Sequence, residues 1–389
     1  MIKRNDCMER VREGKSRRIL MLYGFTSSFI GNTYSPFLSI FIFEIAGGSF
    51  LRTGLGSQLP SIVSIIMGYT WAFISDTTRK RRIFIQMALL TNIFTTLCLS
   101  YVWSIEQLIA IQLIGSLTGS AGGSVFSALP AEVLKEHRGE SLGKYNAFVV
   151  VGGFLGNIIS GILYNTIGFR NMLRLIAALN FIPLTLISII PKDPHENWNL
   201  KESNWRNFIP RIPREFWGIY PVRLILTLPG ALSGGILGIY YLKYLGGSPE
   251  SWSIVVALTT LLGLTTIPYG KLADKLPIKK MFIFAGLGWT ILYLGYYISP
   301  TPIIFAIFFI IPIWPAFWIT YNKCLMELSD KTERAKFYAF EGTLSTIYGN
   351  IIGIISGYLA DIFGPREMFL ISSASAIIAT IYINLKLKI

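Results

Sequence analysis

Apolar runs of roughly span length recur along the chain, separated by short stretches that carry most of its charge. A bilayer's hydrocarbon core is about 30 Å thick and takes roughly 20 residues of helix to cross. The runs are unbroken rather than alternating, which excludes a β-barrel and leaves helices as the way to satisfy the backbone in lipid. The pattern predicts helices over 19–43, 52–75, 83–103, 106–128, 144–167 and 171–190. After a polar break it predicts six more, over 216–244, 251–272, 279–299, 302–325, 337–361 and 366–385. The expected fold is an all-α membrane protein of 12 transmembrane helices in two pseudo-symmetric six-helix bundles. Its parts are a basic tail (1–18), a first bundle (19–190), a linker (191–215) and a second bundle (216–389).

Composition agrees with that pattern: 52% of the 389 residues are hydrophobic and only 14% charged, too apolar a balance for a soluble globule. The formal net charge of +14 would suggest a nucleic-acid partner in a soluble protein, but here the basic residues lie in loops, where membrane topology explains them. With the tail taken as cytoplasmic, 29 of the 35 Lys and Arg fall on that side. Arg52, Arg170, Arg174, Lys243 and Arg366 fall on the other, and Arg223 is left within a span. Both termini are therefore expected in the cytoplasm, in a multi-pass protein of the cell membrane, with lipid and not nucleic acid as its surroundings. Cys7, Cys98 and Cys324 show neither a disulfide framework nor a metal spacing. No glycine-rich Gly-Lys-Ser/Thr phosphate cradle occurs, so neither a nucleotide nor a metal cofactor is expected, and the chain does not read as an enzyme.

The chain repeats itself. Gly270-Lys271-Leu272-Ala273-Asp274-Lys275 closes one apolar run, with Lys279 and Lys280 opening the next. Asp76, Arg79, Lys80, Arg81 and Arg82 do the same earlier. Weaker copies, Asn165-Thr166-Ile167-Gly168-Phe169-Arg170 and Asp361-Ile362-Phe363-Gly364-Pro365-Arg366, follow other runs. At an offset of 196, Gly153 falls on Gly349, Ser160 on Ser356, Gly161 on Gly357 and Met172 on Met368; at 198, Asp76 falls on Asp274. Three-helix repeats nested in six-helix halves are what a rocking, alternating-access carrier is built from.

With these loops in view, the sequence resembles the major facilitator superfamily over essentially its whole length. The resemblance implies a charge network at the cytoplasmic face that holds the halves together when the carrier faces outward. By position it would comprise Asp76, Arg79, Arg81 and Arg82, with Asp274, Lys275 and Lys279 as the second-half copy. Ala72 departs from the glycine usual in the family, which Gly270 keeps. Independently, a carboxylate at a helix C-terminus opposes the helix dipole and needs basic neighbours. Gly143, Gly152, Gly156 and Gly161 in the fifth span stand at glycine spacings typical of drug and proton antiporters of that superfamily, although Asn157 and Ser160 replace a proline and a glycine. Small residues four apart also let helices approach closely in any bundle, here expected at an interface between the halves.

Ionisable residues inside spans are costly and therefore functional candidates. Arg223 in the seventh span and Glu341 in the eleventh could pair and couple a proton to a conformational change; interfacial anchoring is the alternative. Polar and aromatic residues on the spans that line the pore in the resembled family are candidates for a substrate cavity. They are Asn32, Tyr34, Gln112, Tyr240, Trp314, Trp318, Tyr321 and Asn322. The reading is a monomeric secondary transporter of a small-molecule substrate. It would export hydrophobic compounds, with protons as the candidate coupling ion, or alternatively import or facilitate the passage of a metabolite such as a sugar or organic acid.

Overall fold

The computed structural model describes residues 2–78, 81–126, 138–190, 212–329 and 334–387, and every regular element among them is helical. In order these are α1 (Ile2–Ile45), α2 (Phe50–Thr78), α3 (Arg81–Leu99), α4 (Ile105–Phe126), α5 (Arg138–Leu179), α6 (Phe181–Ile189) and α7 (Phe216–Ser233). There follow α8 (Pro249–Leu262), α9 (Thr266–Lys275), α10 (Ile278–Ile298), α11 (Pro302–Ile310), α12 (Trp314–Leu328), α13 (Arg334–Phe363) and α14 (Pro365–Lys386). Among the described residues nine helical stretches are long and apolar enough to cross a membrane. One of them, Glu140–Ile189, runs for 50 residues, more than twice what a single crossing needs. Large apolar side chains such as Phe94, Ile114, Ile303 and Leu385 stand exposed, as lipid-facing positions do.

The helix begins earlier than the apolar pattern indicates. α1 starts at Ile2, so the basic segment expected as a tail continues as helix. It is rich in Arg, Glu, Lys and Met, which favour helix without an apolar face.

The weaker copies of the repeated motif prove to be turns. Gly168 interrupts α5 with φ 73° and ψ 160°, and Gly364 separates α13 from α14 with φ 96°. L side chains with a Cβ rarely adopt such values, which is why glycine stands in both copies. The arginine two residues later has the same task in each. Arg170 Nη1 donates to Ser100 O (3.2 Å) just past α3, and Arg366 Nε donates to Tyr297 O (2.9 Å) in the last turn of α10. Each places a cation at a helix end whose carbonyls have no partner of their own. Each also stacks on an aromatic ring, Arg170 at 4.1 Å from the Trp103 centroid and Arg366 at 5.0 Å from that of Tyr297.

The chain divides into two compact units, one of Met1–Phe41 with Pro60–Ser203, the other of Ile42–Leu59 with Asn204–Ile389. In the first, Leu20, Tyr23, Ile85, Leu89 and Ile187 form a buried cluster that ties α1 and α6 to α3. In the second, Phe216, Leu226, Met281, Phe282, Phe317, Phe337 and Ala379 join α7, α10, α12, α13 and α14 into one core. Its spans are interrupted. α7 stops at Ser233-Gly234-Gly235 and resumes as Leu237–Ile239 and a π-helical turn, Tyr240–Tyr244. Pro312, which has no N–H to donate, lies in the gap between α11 and α12. Broken spans leave backbone groups unpaired, and membrane proteins confine such breaks to protein-lined interiors.

Candidate functional site

In the second unit, α13 presents Glu341 and Ser345 four residues apart on one face, and α12 presents Trp318 and Tyr321 three apart. Arg223 of α7 enters between them. Its Nε lies 2.6 Å from Glu341 Oε1 and 2.6 Å from Ser345 Oγ, while Ser345 Oγ donates to the same carboxylate oxygen (2.7 Å). Tyr321 Oη donates to Glu341 Oε1 at 3.1 Å. The guanidinium carbon stands 4.5 Å from the Trp318 ring centroid and 4.9 Å from that of Tyr321. The two charged side chains are 8% and 6% exposed, so neither is stabilised by water and each depends on the other. Arg223 Nη1 is buried with no hydrogen-bond partner among the described residues, leaving the two N–H of that nitrogen unspent. Of the ion pairs among the described residues, this is the one buried on both sides; the others are exposed or half-exposed.

The charged loops are arranged less symmetrically than their sequences. Asp76 lies in the last turn of α2 and Arg79 falls outside the described residues, as do the contacts of the Asp76 side chain. Arg82 donates from Nη1 to Ile190 O (3.1 Å) and from Nη2 to Ser188 O, at the carboxyl end of α6. Asp274 pairs with Lys323 of α12 (3.3 Å) rather than with Lys275 or Lys279, and Lys323 Nζ also donates to Ala273 O (3.1 Å). With its carboxylate 77% exposed, that bridge contributes about 1 kcal/mol at most.

The fourth copy has a further partner within the second unit. Asp361 accepts from Ser49 Oγ (2.7 Å), Phe50 N (2.6 Å) and Leu51 N (3.0 Å), capping the first turn of α2 with a full negative charge. Asp361→Ala is expected to lose about 1–2 kcal/mol there. Hydrogen exchange of the peptide carrying Phe50 and Leu51 checks it: amide exchange about tenfold faster or more is expected, and unchanged protection would mean that other groups hold that turn.

Each unit contains a cavity. That of the first unit, about 390 Å³, is lined by Tyr34 and Leu38 of α1, Ser64 of α2, Thr91, Asn92 and Thr95 of α3, Gln112 and Ser116 of α4, and Leu173 of α5. That of the second, about 280 Å³, is lined by Leu262, Trp289, Tyr293, Tyr296, Ile310 and Trp314. Of the sequence-predicted cavity residues, Tyr34, Gln112 and Trp314 line these spaces. Trp318 and Tyr321 belong to the arginine cluster. Tyr240 is buried against Tyr244, Phe305 and Phe369. Asn32 Nδ2 donates to Ser28 O (2.9 Å) on its own helix, and Asn322 is exposed, its carbonyl accepting from Tyr338 Oη (3.1 Å).

The family model of the major facilitator superfamily matches residues 20–240 and 219–388, nearly the whole chain. The chain belongs to the major facilitator superfamily. A Methanocaldococcus jannaschii protein described as an uncharacterised transporter of this type is 26% identical over 92% of both chains. The multidrug resistance protein MdtG of Klebsiella pneumoniae is 23% identical over 91% of this chain and 89% of its own. Among solved structures, the nucleoside transporter NupG superposes with a TM-score of 0.80 at 13% identity, covering 96% of this chain and 100% of that one. A D-xylose–proton symporter superposes at 0.69 and 15% identity, covering 95% and 96%. These superpositions establish the fold. The chain is thus a multi-pass membrane transporter and not an enzyme.

Within this superfamily fold Gly152 and Gly156 of the fifth span are packing positions. The sequence places them at an interface between the halves; instead, a Cβ on Gly152 would overlap Phe25 O, and one on Gly156 would overlap Phe29 O, both on α1 in the same unit. Gly161 is buried, and Gly143 is exposed with nothing within 4 Å of its Cβ position. Sequence reasoning did not single out Ser345, Lys323, Thr91, Thr95 or Ser116. The signal was present for some: Ser345 lies one turn beyond Glu341, and Thr91 and Thr95 are four apart on the α3 face that meets α4, where Thr91 and Thr118 share a hydrogen bond of 2.8 Å.

Proposed function

We propose that this transporter exports small, mostly hydrophobic organic compounds in exchange for protons, with Glu341 as the proton-carrying group. The observation that carries the proposal is the buried Arg223–Glu341 pair in its aromatic surround. A carboxylate that takes a proton gives up the charge holding Arg223 Nε, and the freed guanidinium then favours a different arrangement of α7, α12 and α13. Hydrophobic export is supported by the relatives named as multidrug resistance proteins. In this proposal the chain crosses the membrane twelve times: the 50-residue stretch turns at Gly168 and counts twice, and α1 and α4 add a crossing each. Both termini lie in the cytoplasm, as the distribution of Lys and Arg favours. Asp76, Arg79, Arg81 and Arg82, with Asp274, Lys275 and Lys279, act as the cytoplasmic gate, and one chain is the working unit. The alternative is a metabolite importer or facilitator, favoured by the hydroxyl- and amide-lined cavity of the first unit, which suits a sugar better than an organic acid.

The test is retention of the uncharged hydrophobic dye N-phenyl-1-naphthylamine in cells expressing the chain or its Glu341→Gln variant, with and without a protonophore. Low retention in the wild type, restored to the level of non-expressing cells by either treatment, is expected. Equal export by Glu341→Gln would remove Glu341 from the coupling, and no export by the wild type would overturn the efflux assignment.

A further inference from the structure

The two cavities occupy equivalent places in the internal repeat but differ in chemistry. Ser64 and Leu262, Thr91 and Trp289, Thr95 and Tyr293, Gln112 and Ile310, and Ser116 and Trp314 are each 198 positions apart, and every one of the ten lines its own unit's cavity. At all five positions the first half carries a hydroxyl or an amide where the second half carries an aliphatic or aromatic side chain. One backbone site has therefore been filled with rings in one half and left larger and polar in the other.

Among the described residues the polar lining is uncharged: no Asp, Glu, Lys, Arg or His of theirs borders the first cavity. Much of its hydrogen-bonding capacity is already used. Ser116 Oγ donates to Gln112 O (2.7 Å), and Thr96 Oγ1 donates to Asn92 Oδ1 (2.9 Å). Gln112 Nε2 is not. It is sealed from solvent and has no acceptor among the described residues, a costly condition for an amide within a membrane span. Room for a small organic molecule therefore borders a residue whose amide donor is unspent, and a turn of that side chain would bring the donor to the cavity wall.

We infer that the first unit's cavity is a binding site for an uncharged organic molecule bearing carbonyl- or ether-type oxygen acceptors, one of which accepts from Gln112 Nε2 once that amide turns into the cavity. A charged ligand is disfavoured because it would leave its hydration shell and meet no opposite charge in the lining. The inference rests on neither the direction nor the coupling proposed above, since it concerns equilibrium binding.

The probe is caffeine, an uncharged molecule with two carbonyl acceptors and no N–H, measured by equilibrium dialysis against the purified full-length protein in detergent without any gradient. Phenyltrimethylammonium and benzoate serve as charged probes. Millimolar caffeine is expected to bind the wild type and the charged probes not to. Gln112→Ile, which installs the residue of the second-half position, is expected to weaken caffeine binding about tenfold, the scale of one lost hydrogen bond to a buried donor. Ser116→Trp, likewise borrowed from the repeat, is expected to abolish it by filling the space. Elution as a single species and an unchanged helical circular dichroism spectrum qualify each variant, and Thr95→Val, nearly constant in volume, replaces either one that fails to fold and is expected to weaken binding. Absence of caffeine binding to the wild type, equal binding by every folded variant, or equal binding of a charged probe would each overturn the inference. Proton-dependent dye export by a protein that does not bind caffeine would overturn this inference alone and leave the efflux proposal standing.

Discussion

Glu341→Leu is expected to destabilise the protein by about 3–5 kcal/mol, the cost of stranding one member of a buried ion pair. The Arg223 side chain, 8% exposed, would then sit between Trp318 and Tyr321 with its charge uncompensated, and a guanidinium cannot shed its proton to escape. Arg223→Met is expected to cost less, because the remaining Glu341 carboxylate keeps its hydrogen bonds from Ser345 and Tyr321. The double variant is expected to recover much of the loss, since an apolar pair of similar volume fits the surrounding rings without stranding a charge. Thermal unfolding in detergent, followed by tryptophan fluorescence, orders the four proteins as wild type, double variant, Arg223→Met and Glu341→Leu, or with the double variant above the wild type. Single variants as stable as the wild type would mean that the pair is solvated in the working protein. A double variant no better than Glu341→Leu would mean that the two residues do not act as a pair. Either result would also weaken the coupling proposal, which depends on the pair being closed off from water.

Gly156→Val is expected to cost about 3 kcal/mol, the upper end for an overpacked core, because what it strikes is backbone. The Cβ would overlap Phe29 O, a group that cannot rotate aside as a side chain does, so α1 and α5 must part along the whole contact that Gly152 also serves. Gly143→Ala belongs to the same glycine series and is expected to change stability by no more than a few tenths of a kcal/mol: nothing lies within 4 Å of its Cβ and the position is exposed. The two variants, compared by the same unfolding assay and by yield of monodisperse protein, separate packing from the antiporter pattern. A stable Gly156→Val would show that the α1–α5 contact is looser than its geometry. If stable Gly143→Ala nonetheless lost transport, the spacing pattern itself would matter for function.

Much of this architecture is one-dimensional information. Span lengths follow from the thickness of a bilayer, and the repeated loops follow from the duplication of a three-helix unit, so both are written as runs and offsets that need no folded chain to be seen. Gly168 and Gly364 mark turns because a positive φ is a local demand that one residue type meets cheaply. Arg223 and Glu341 stand out in the sequence because lipid makes any ionisable residue in a span expensive. What tertiary structure alone decided is which of these groups meet. Arg223 and Glu341 lie 118 positions apart, and their partners, Tyr321 and Ser345 shared by both and Trp318 under Arg223, come from two helices whose rotation about their axes is set by packing and not by periodicity. The same holds for Asp361, a turn residue by sequence that caps α2 from more than 300 positions away, and for Asp274, whose partner is Lys323 rather than its own loop. The contrast between the two cavities has both origins. Five residue pairs record it in the sequence, but only the packing of α1, α2, α3 and α4 in one half, and of α8, α10, α11 and α12 in the other, reveals that those positions enclose space.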